Sequence, residues 1–301
     1  MNPHAARFRR PTLLIVGCGD VGLRVLAHLA PTWRVLALTS SAGRAPALRR
    51  AGAVPLVGNL DDAATLGRLG ALADAVLHLA PPPTTGEHDT RTRALVQALA
   101  RAGRVRRLVY ASTTGVYGDC GGARFDETRP VAPATARARR RVDAEAVLRW
   151  WGRRSAVSVT VLRVPGIYAV DRDGGHPRER LLRGTPLLRP QDDVYTNHIH
   201  ADDLARLCVA ALCRGLPQRV LHTCDDTELR MGEYFDLAAD LCGLPRAPRV
   251  SRDEAGTVLS PIQLSFMGES RRLDNTRMKR ELKVALRHPT VHSGLVEAPA
   301  G

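Results

Sequence analysis

Leu13-Leu14-Ile15-Val16-Gly17-Cys18-Gly19-Asp20-Val21-Gly22 is an apolar run that ends in G-x-G-x-x-G, and Leu23–Ala30 follows with a helical pattern. Strand, glycine turn and helix, in that order, are what a dinucleotide site needs. Gly17 lets the chain turn sharply at the strand end. Gly19 carries no Cβ, so backbone can approach a pyrophosphate. Gly22 lets the helix pack close to the strand. Phosphates then rest on unpaired N–H groups at the helix N-terminus, where the dipole also favours an anion. Cys18, Asp20 and Val21 complete the turn and are expected to touch the cofactor with the three glycines.

Outward from this turn, short apolar runs alternate with helical segments. Leu13–Val16, Arg34–Leu38, Val54–Val57, Ala75–Leu79, Arg107–Ala111 and Val157–Arg163 read as six strands. Leu23–Ala30, Ala45–Ala51, Leu66–Leu72 and Thr90–Ala102 read as helices between them. This order predicts an α/β fold, a Rossmann-type doubly wound parallel sheet with its ligand at the carboxyl ends of the strands. After Pro165 the pattern breaks. Asp171–Arg180 reads as a loop, Asp202–Cys213 and Met231–Cys242 as helices, and Val220–Cys224 as a short strand. The expected division is a dinucleotide-binding domain over 11–165, rejoined by 194–224, and a smaller substrate lobe over 166–193 and 225–290. Residues 1–10 and 291–301 are expected to be flexible tails.

No apolar stretch of the 301 residues approaches the length of a membrane helix, and Met1–Pro11 has no apolar signal core. The cytoplasm is the expected location. Six cysteines at 18, 120, 208, 213, 224 and 242 form no C-x-x-C pair and read as free thiols. The net charge is +14, yet Lys279 and Lys283 are the only lysines, and arginines spread along the whole chain. With aromatics at 4%, stacking platforms are scarce, so nucleic acid is not the expected partner. A small-molecule substrate is expected, with a homodimer as a candidate assembly and no metal.

The second strand speaks to the cofactor. An acidic residue near its end ordinarily holds the ribose hydroxyls of NAD. No Asp or Glu occurs between Val21 and Leu60, and the strand ends in Thr39-Ser40-Ser41 with Arg44 beyond. Hydroxyls and a guanidinium suit a 2′-phosphate, which favours NADP, with NAD as the alternative.

Leu108-Val109-Tyr110-Ala111-Ser112-Thr113-Thr114-Gly115-Val116-Tyr117-Gly118 resembles the fifth strand and turn of the extended short-chain dehydrogenases/reductases, the NAD-dependent epimerase/dehydratase group. Gly58-Asn59-Leu60-Asp61, His78-Leu79-Ala80, Leu162-Arg163-Val164-Pro165-Gly166-Ile167-Tyr168 and Asn197–Asp203 resemble further segments of that family, in order. The resemblance implies cofactor contacts at Asn59, Leu60, Leu79, Ala80, Pro81, Ala111, Ser112 and Pro165. It also implies catalysis by Ser/Thr, Tyr and Lys, the last two spaced Tyr-x-x-x-Lys on one helix. Thr113 occupies the hydroxyl position. Arg137 stands where the Tyr is expected and Arg141 where the Lys is expected.

An arginine keeps its proton and accepts no hydrogen bond, so Arg137 cannot be a general base. Arg141 keeps the positive charge, unless it is spent on Glu145 one turn away. Tyr117 and Tyr168 are the expected replacements for the missing proton carrier. His198 and His200, with Asp202 and Asp203 beyond, read as a strand running into a capped helix. The expectation is an NAD(P)-dependent epimerase/dehydratase-like or reductase-like enzyme acting on a small polar, sugar-nucleotide-like substrate. The alternative is a non-catalytic NADP-binding sensor or partner-binding module.

Overall fold

A computed structural model describes residues 10–29 and 31–296. Seven parallel strands make the central sheet: β1 (Thr12–Val16), β2 (Arg34–Thr39), β3 (Val54–Val57), β4 (Ala75–His78), β5 (Arg107–Thr113), β6 (Ser158–Val164) and β7 (Arg219–His222). Their spatial order is β7-β6-β5-β4-β1-β2-β3. The connections reverse direction across β1, and the crevice at such a switch point is where ligands sit in open α/β sheets. The register aligns the strand ends there: Val16 lies opposite both Leu38 and His78.

Every residue of β1 is buried, as expected of a central parallel strand covered on both faces. Alternate residues feed two cores. Leu13, Ile15, Leu77, Val109 and Leu162 face one side, where helices α1 (Asp20–His28) and α4 (Ala201–Arg214) pack. Leu14, Val16, Val76, Leu108 and Val161 face the other, where α2 (Thr90–Ala100) and α3 (Ala136–Arg154) pack. A third core lies in the smaller lobe, around α5 (Met231–Cys242) and two-stranded pairs such as Leu187–Leu188 with Arg249–Val250.

Several boundaries differ from the sequence reading. Helix α1 starts at Asp20, three residues earlier than expected, because the turn spends only Cys18 and Gly19. The seventh strand is Arg219–His222 rather than 220–224. Residues 171–180 are not all loop, since a short helix spans Arg178–Leu182. Residues 272–286 do not belong to the lobe. Arg272–Leu273 pairs with Arg124–Phe125, and Met278 and Leu282 enter the core beneath α4. Nor is the C-terminal segment wholly a tail. Val291–Leu295 is a helix whose Val291 and Leu295 are buried against the lobe core, while residues 1–9 and 297–301 lie outside the described ones.

The glycine turn is built as its spacing predicts. Gly17 has φ +84°, and a Cβ on it would stand 2.5 Å from the Ala80 amide nitrogen. Gly22 packs closely too, but against the turn rather than the strand: its Cβ would meet Cys18 Sγ at 3.1 Å. The variant Gly17→Ala is expected to lose at least about 2 kcal/mol of stability, from a disfavoured φ and a backbone clash, measured by urea denaturation.

Candidate functional site

Two cavities meet at Gly17. One, of about 330 Å³, opens between the glycine turn, the end of β5 and the 165–172 segment. The other, of about 220 Å³, opens between the turn and the ends of β2, β3 and β4. Gly17, Gly19, Asp20, Val21, Gly22, Leu79, Ala111, Ser112 and Pro165 line the first. Cys18, Thr39, Ser40, Arg44, Asn59, Leu60, Ala80 and Pro81 line the second. All the expected cofactor residues therefore fall on one continuous groove.

The groove fits a dinucleotide. No side chain caps α1, so its first N–H groups are free for an anion. A Cβ on Gly19 would meet nothing within 4 Å, which leaves that space to a ligand. Arg44 bends back over the turn and donates to the Cys18 carbonyl at 2.8 Å. Burial pushes the Cys18 thiol up to about 11 despite Arg44 beside it. The Thr39 hydroxyl is tied to Ser41, accepting from its N–H and donating to its carbonyl.

Two arginines that sequence reasoning missed join the lining. Arg91 lies in the second cavity, paired with Asp61 through two bonds of 2.6 and 2.7 Å. Arg172 lies in the first and binds Asp20 at 3.0 Å. Its loop is held by Arg24, whose guanidinium reaches Asp20, Asp171 and Asp202 together. Neither arginine sits in a motif. Each enters the groove from a distant segment, so no local signal marks it.

Thr113 and Arg141 both line the first cavity. Arg141 donates to the Ala111 carbonyl at 2.8 Å and the Tyr110 hydroxyl at 3.0 Å. It makes no pair with Glu145. That carboxylate is instead buried against Arg163, at 2.7 and 3.1 Å, and accepts from the Ser112 hydroxyl at 2.6 Å.

The other three expected catalytic residues lie elsewhere. Arg137 is exposed and stacks over the Phe266 ring at 4.8 Å. Tyr117 is only 1% exposed and accepts from Arg163 at 2.6 Å. Its own proton points to His222 Nε2, 2.6 Å away, because His222 Nδ1 donates to the Asp274 carbonyl. Burial pushes Tyr117 up to about 12 and His222 down to about 4, so both stay neutral near pH 7. Tyr168, also 1% exposed, donates to the Thr290 carbonyl in the smaller lobe, and burial raises it well above the ordinary tyrosine range. Neither tyrosine opens on the groove, since both side chains fill hydrophobic layers behind it.

One carboxylate lies beside the Gly115 turn that follows Thr113. Glu269 Oε2 lies 4.0 Å from the point where a Cβ on Gly115 would stand, and Thr113 Oγ1 lies 3.7 Å from that point. Arg271 holds Glu269 at 2.7 Å and donates to the Gly118 carbonyl. Glu269 comes from the far end of the chain, and no spacing rule links it to Thr113.

The histidine strand also differs in detail. His200 itself caps α4, its Nδ1 accepting from the Asp202 N–H at 3.2 Å. Polar atoms of His200, Asp202 and His288 lie within 4.8 Å of one another, with Asp202 engaged by Arg24 and the two imidazoles packed at a tilt of 31°, their centroids 3.8 Å apart. That packing places His200 at the start of the helix.

These features place the chain in a class. It belongs to the NAD(P)H-binding family, which it matches over residues 17–214. Its fold is that of the epimerase/dehydratase enzymes, as the motifs at 108–118 and 162–168 imply. UDP-glucose 4-epimerase from Thermotoga maritima superposes with a TM-score of 0.77 at 19% identity, over 94% of this chain and 96% of that one. A functionally unknown conserved protein from Silicibacter pomeroyi superposes at 0.79 with 33% identity, over 95% and 96% of the two chains. Protein YeeZ of Escherichia coli K12 is 27% identical over 290 residues, 91% of this chain and 95% of its own. A dTDP-glucose 4,6-dehydratase of Mycolicibacterium smegmatis is 32% identical over 118 residues, and the chain spans only 35% of that relative's length. Among the described residues no helix is long and apolar enough to cross a membrane.

Two stability experiments follow from the buried charges. Glu145→Ala strands the Arg163 guanidinium away from water and is expected to cost about 3–5 kcal/mol in chemical denaturation. Asp225 is buried beside Tyr168, with Oδ1 accepting from Thr227 N–H, and burial lifts its carboxyl to about 7. A raised carboxyl favours the fold only while protonated, so its contribution fades as pH rises from about 4 through 7. Thermal melts should show Asp225→Asn gaining on the wild type between pH 5 and pH 8 (~1 kcal/mol or more), with little gap near pH 4.

Proposed function

We propose that the protein binds NADP along the two-cavity groove and works as an oxidoreductase of the short-chain type. Its substrate would be a small polar molecule bearing an anionic group. The observation that carries this reading is that the Thr113 hydroxyl and the Arg141 guanidinium share one cavity with the uncapped glycine turn. Arg44, at the end of a strand without an acidic residue, supports NADP over NAD. Arg172 and the N-terminus of α1 would hold the pyrophosphate. When bound, the dinucleotide supplies hydride exchange at its nicotinamide.

Thr113 would hold the reacting oxygen of the substrate. Arg141, fixed by two oxygens of β5, would keep positive charge beside it. Glu269 would take that oxygen's proton and return it, replacing the tyrosine that position 137 lacks. The guanidinium groups of Arg141 and Arg172 in the cavity wall suit an anionic substrate.

The non-catalytic reading, an NADP-dependent sensor, is favoured by one observation: Arg137 faces Phe266 instead of the groove. Fluorescence titration and turnover separate the two. NADPH is expected to bind more tightly than NADH, and Arg44→Gln should weaken NADPH on the order of tenfold while sparing NADH. Equal affinities would sink the NADP assignment. Glu269→Gln should bind NADPH as the wild type does but lose turnover on a panel of anionic carbonyl compounds. Tight binding by the wild type with no turnover on that panel would favour the sensor.

A further inference from the structure

Beside the edge strand β7 lies another cavity, of about 350 Å³, walled by five guanidinium groups and one carboxylate: Arg129, Arg149, Arg163, Arg219, Arg277 and Glu127. It shares no residue with the dinucleotide groove. Three of its arginines are already neutralised. Arg163 is paired with Glu145 at 2.7 Å, Arg219 with Glu281 at 2.9 Å, and Arg277 with Glu127 at 3.3 Å.

The remaining two have no carboxylate partner among the described residues. Arg129 lies over the Phe125 ring at 4.7 Å, which leaves the edge of its guanidinium free. Arg149 projects from α3, half-buried, and its Nε is removed from water without any hydrogen-bond acceptor. A dry, unpaired guanidinium N–H costs free energy. Glu127 is engaged by the His222 N–H at Oε1 and by Arg277 at 3.3 Å from Oε2, although Oε2 and Gln218 Oε1 in the same wall have no hydrogen-bond partner. With Glu145, Glu281 and Glu127 each taken by one arginine, the wall carries two positive charges that no carboxylate balances, inside a concave space.

We propose that this cavity binds a small phosphate-bearing molecule, with Arg129 and Arg149 holding the phosphate oxygens. Guanidinium forks match phosphate geometry, and the two guanidinium groups without a carboxylate line one concave space. A concave wall with its free charge on two residues suits a compact diphosphate better than a long polyanion, which needs a continuous basic track.

The test is calorimetric titration of the full chain with inorganic diphosphate in phosphate-free buffer. The wild type is expected to show saturable binding, and Arg149→Gln and Arg129→Gln should each weaken it on the order of tenfold or more. Arg172→Gln, in the dinucleotide groove, should remove only diphosphate bound at the glycine turn and leave the Arg149-sensitive binding in place. Absence of saturable binding would overturn the proposal. So would binding that survives Arg149→Gln but disappears in Arg172→Gln, since the anion would then sit on the glycine turn. Binding of a short DNA duplex, sensitive to Arg149→Gln and without any diphosphate binding, would also overturn it. Because Arg149 has no partner to lose, Arg149→Gln should melt no lower than the wild type in the same buffer. A lower melting temperature would mean that Arg149 serves the fold and not a ligand.

Discussion

At Gly17 there is room for backbone and nothing else. A side chain there would stand 2.5 Å from the Ala80 amide, so β1 and β4 can bring their ends together only because one residue has no Cβ. That approach aligns Val16 with His78 and Leu38 and turns the chain straight into α1. It leaves the first N–H groups of α1 uncapped at the sheet's switch point. The groove, its division into two cavities and the placing of Thr113 on one of them follow from this contact.

Behind the groove a chain of buried polar groups ties the sheet to α3 and β7. Ser112 donates to Glu145, Glu145 pairs with Arg163, Arg163 donates to Tyr117, and Tyr117 donates to His222. Each polar atom in this chain has a partner, which is the condition for burying such groups at all. The chain also explains why Tyr117 does not open on the groove: its hydroxyl is turned to Arg163 and His222.

The basic composition has a structural explanation too. Arginine takes positions where several acceptors must be reached at once. Arg24 gathers three carboxylates, Arg107 donates to the carbonyls of Leu212 and Cys213, and Arg214 reaches the Leu282 carbonyl. A guanidinium has five donors in a rigid fork, whereas an ammonium is a point charge. Arg141 shows the consequence at the site, pinned by two oxygens of β5 and still facing the cavity.

What the sequence determined by itself is local. Strand period, the G-x-G-x-x-G turn and the missing acidic residue after β2 are all readable from neighbours along the chain. From them came the parallel sheet and the glycine-turn and β2 residues of the groove, while the other lining residues and the places of Arg137 and Arg141 came from the family resemblance. The tertiary structure alone decided which side chains reach the groove from afar. Glu269 comes to the Gly115 turn and Arg172 meets Asp20, each across about 150 residues, and residues 272–286 return to the sheet instead of staying in the lobe. Such meetings depend on how whole elements pack, and burial, which no spacing rule reports, is what removed Tyr117 and Tyr168 from the site.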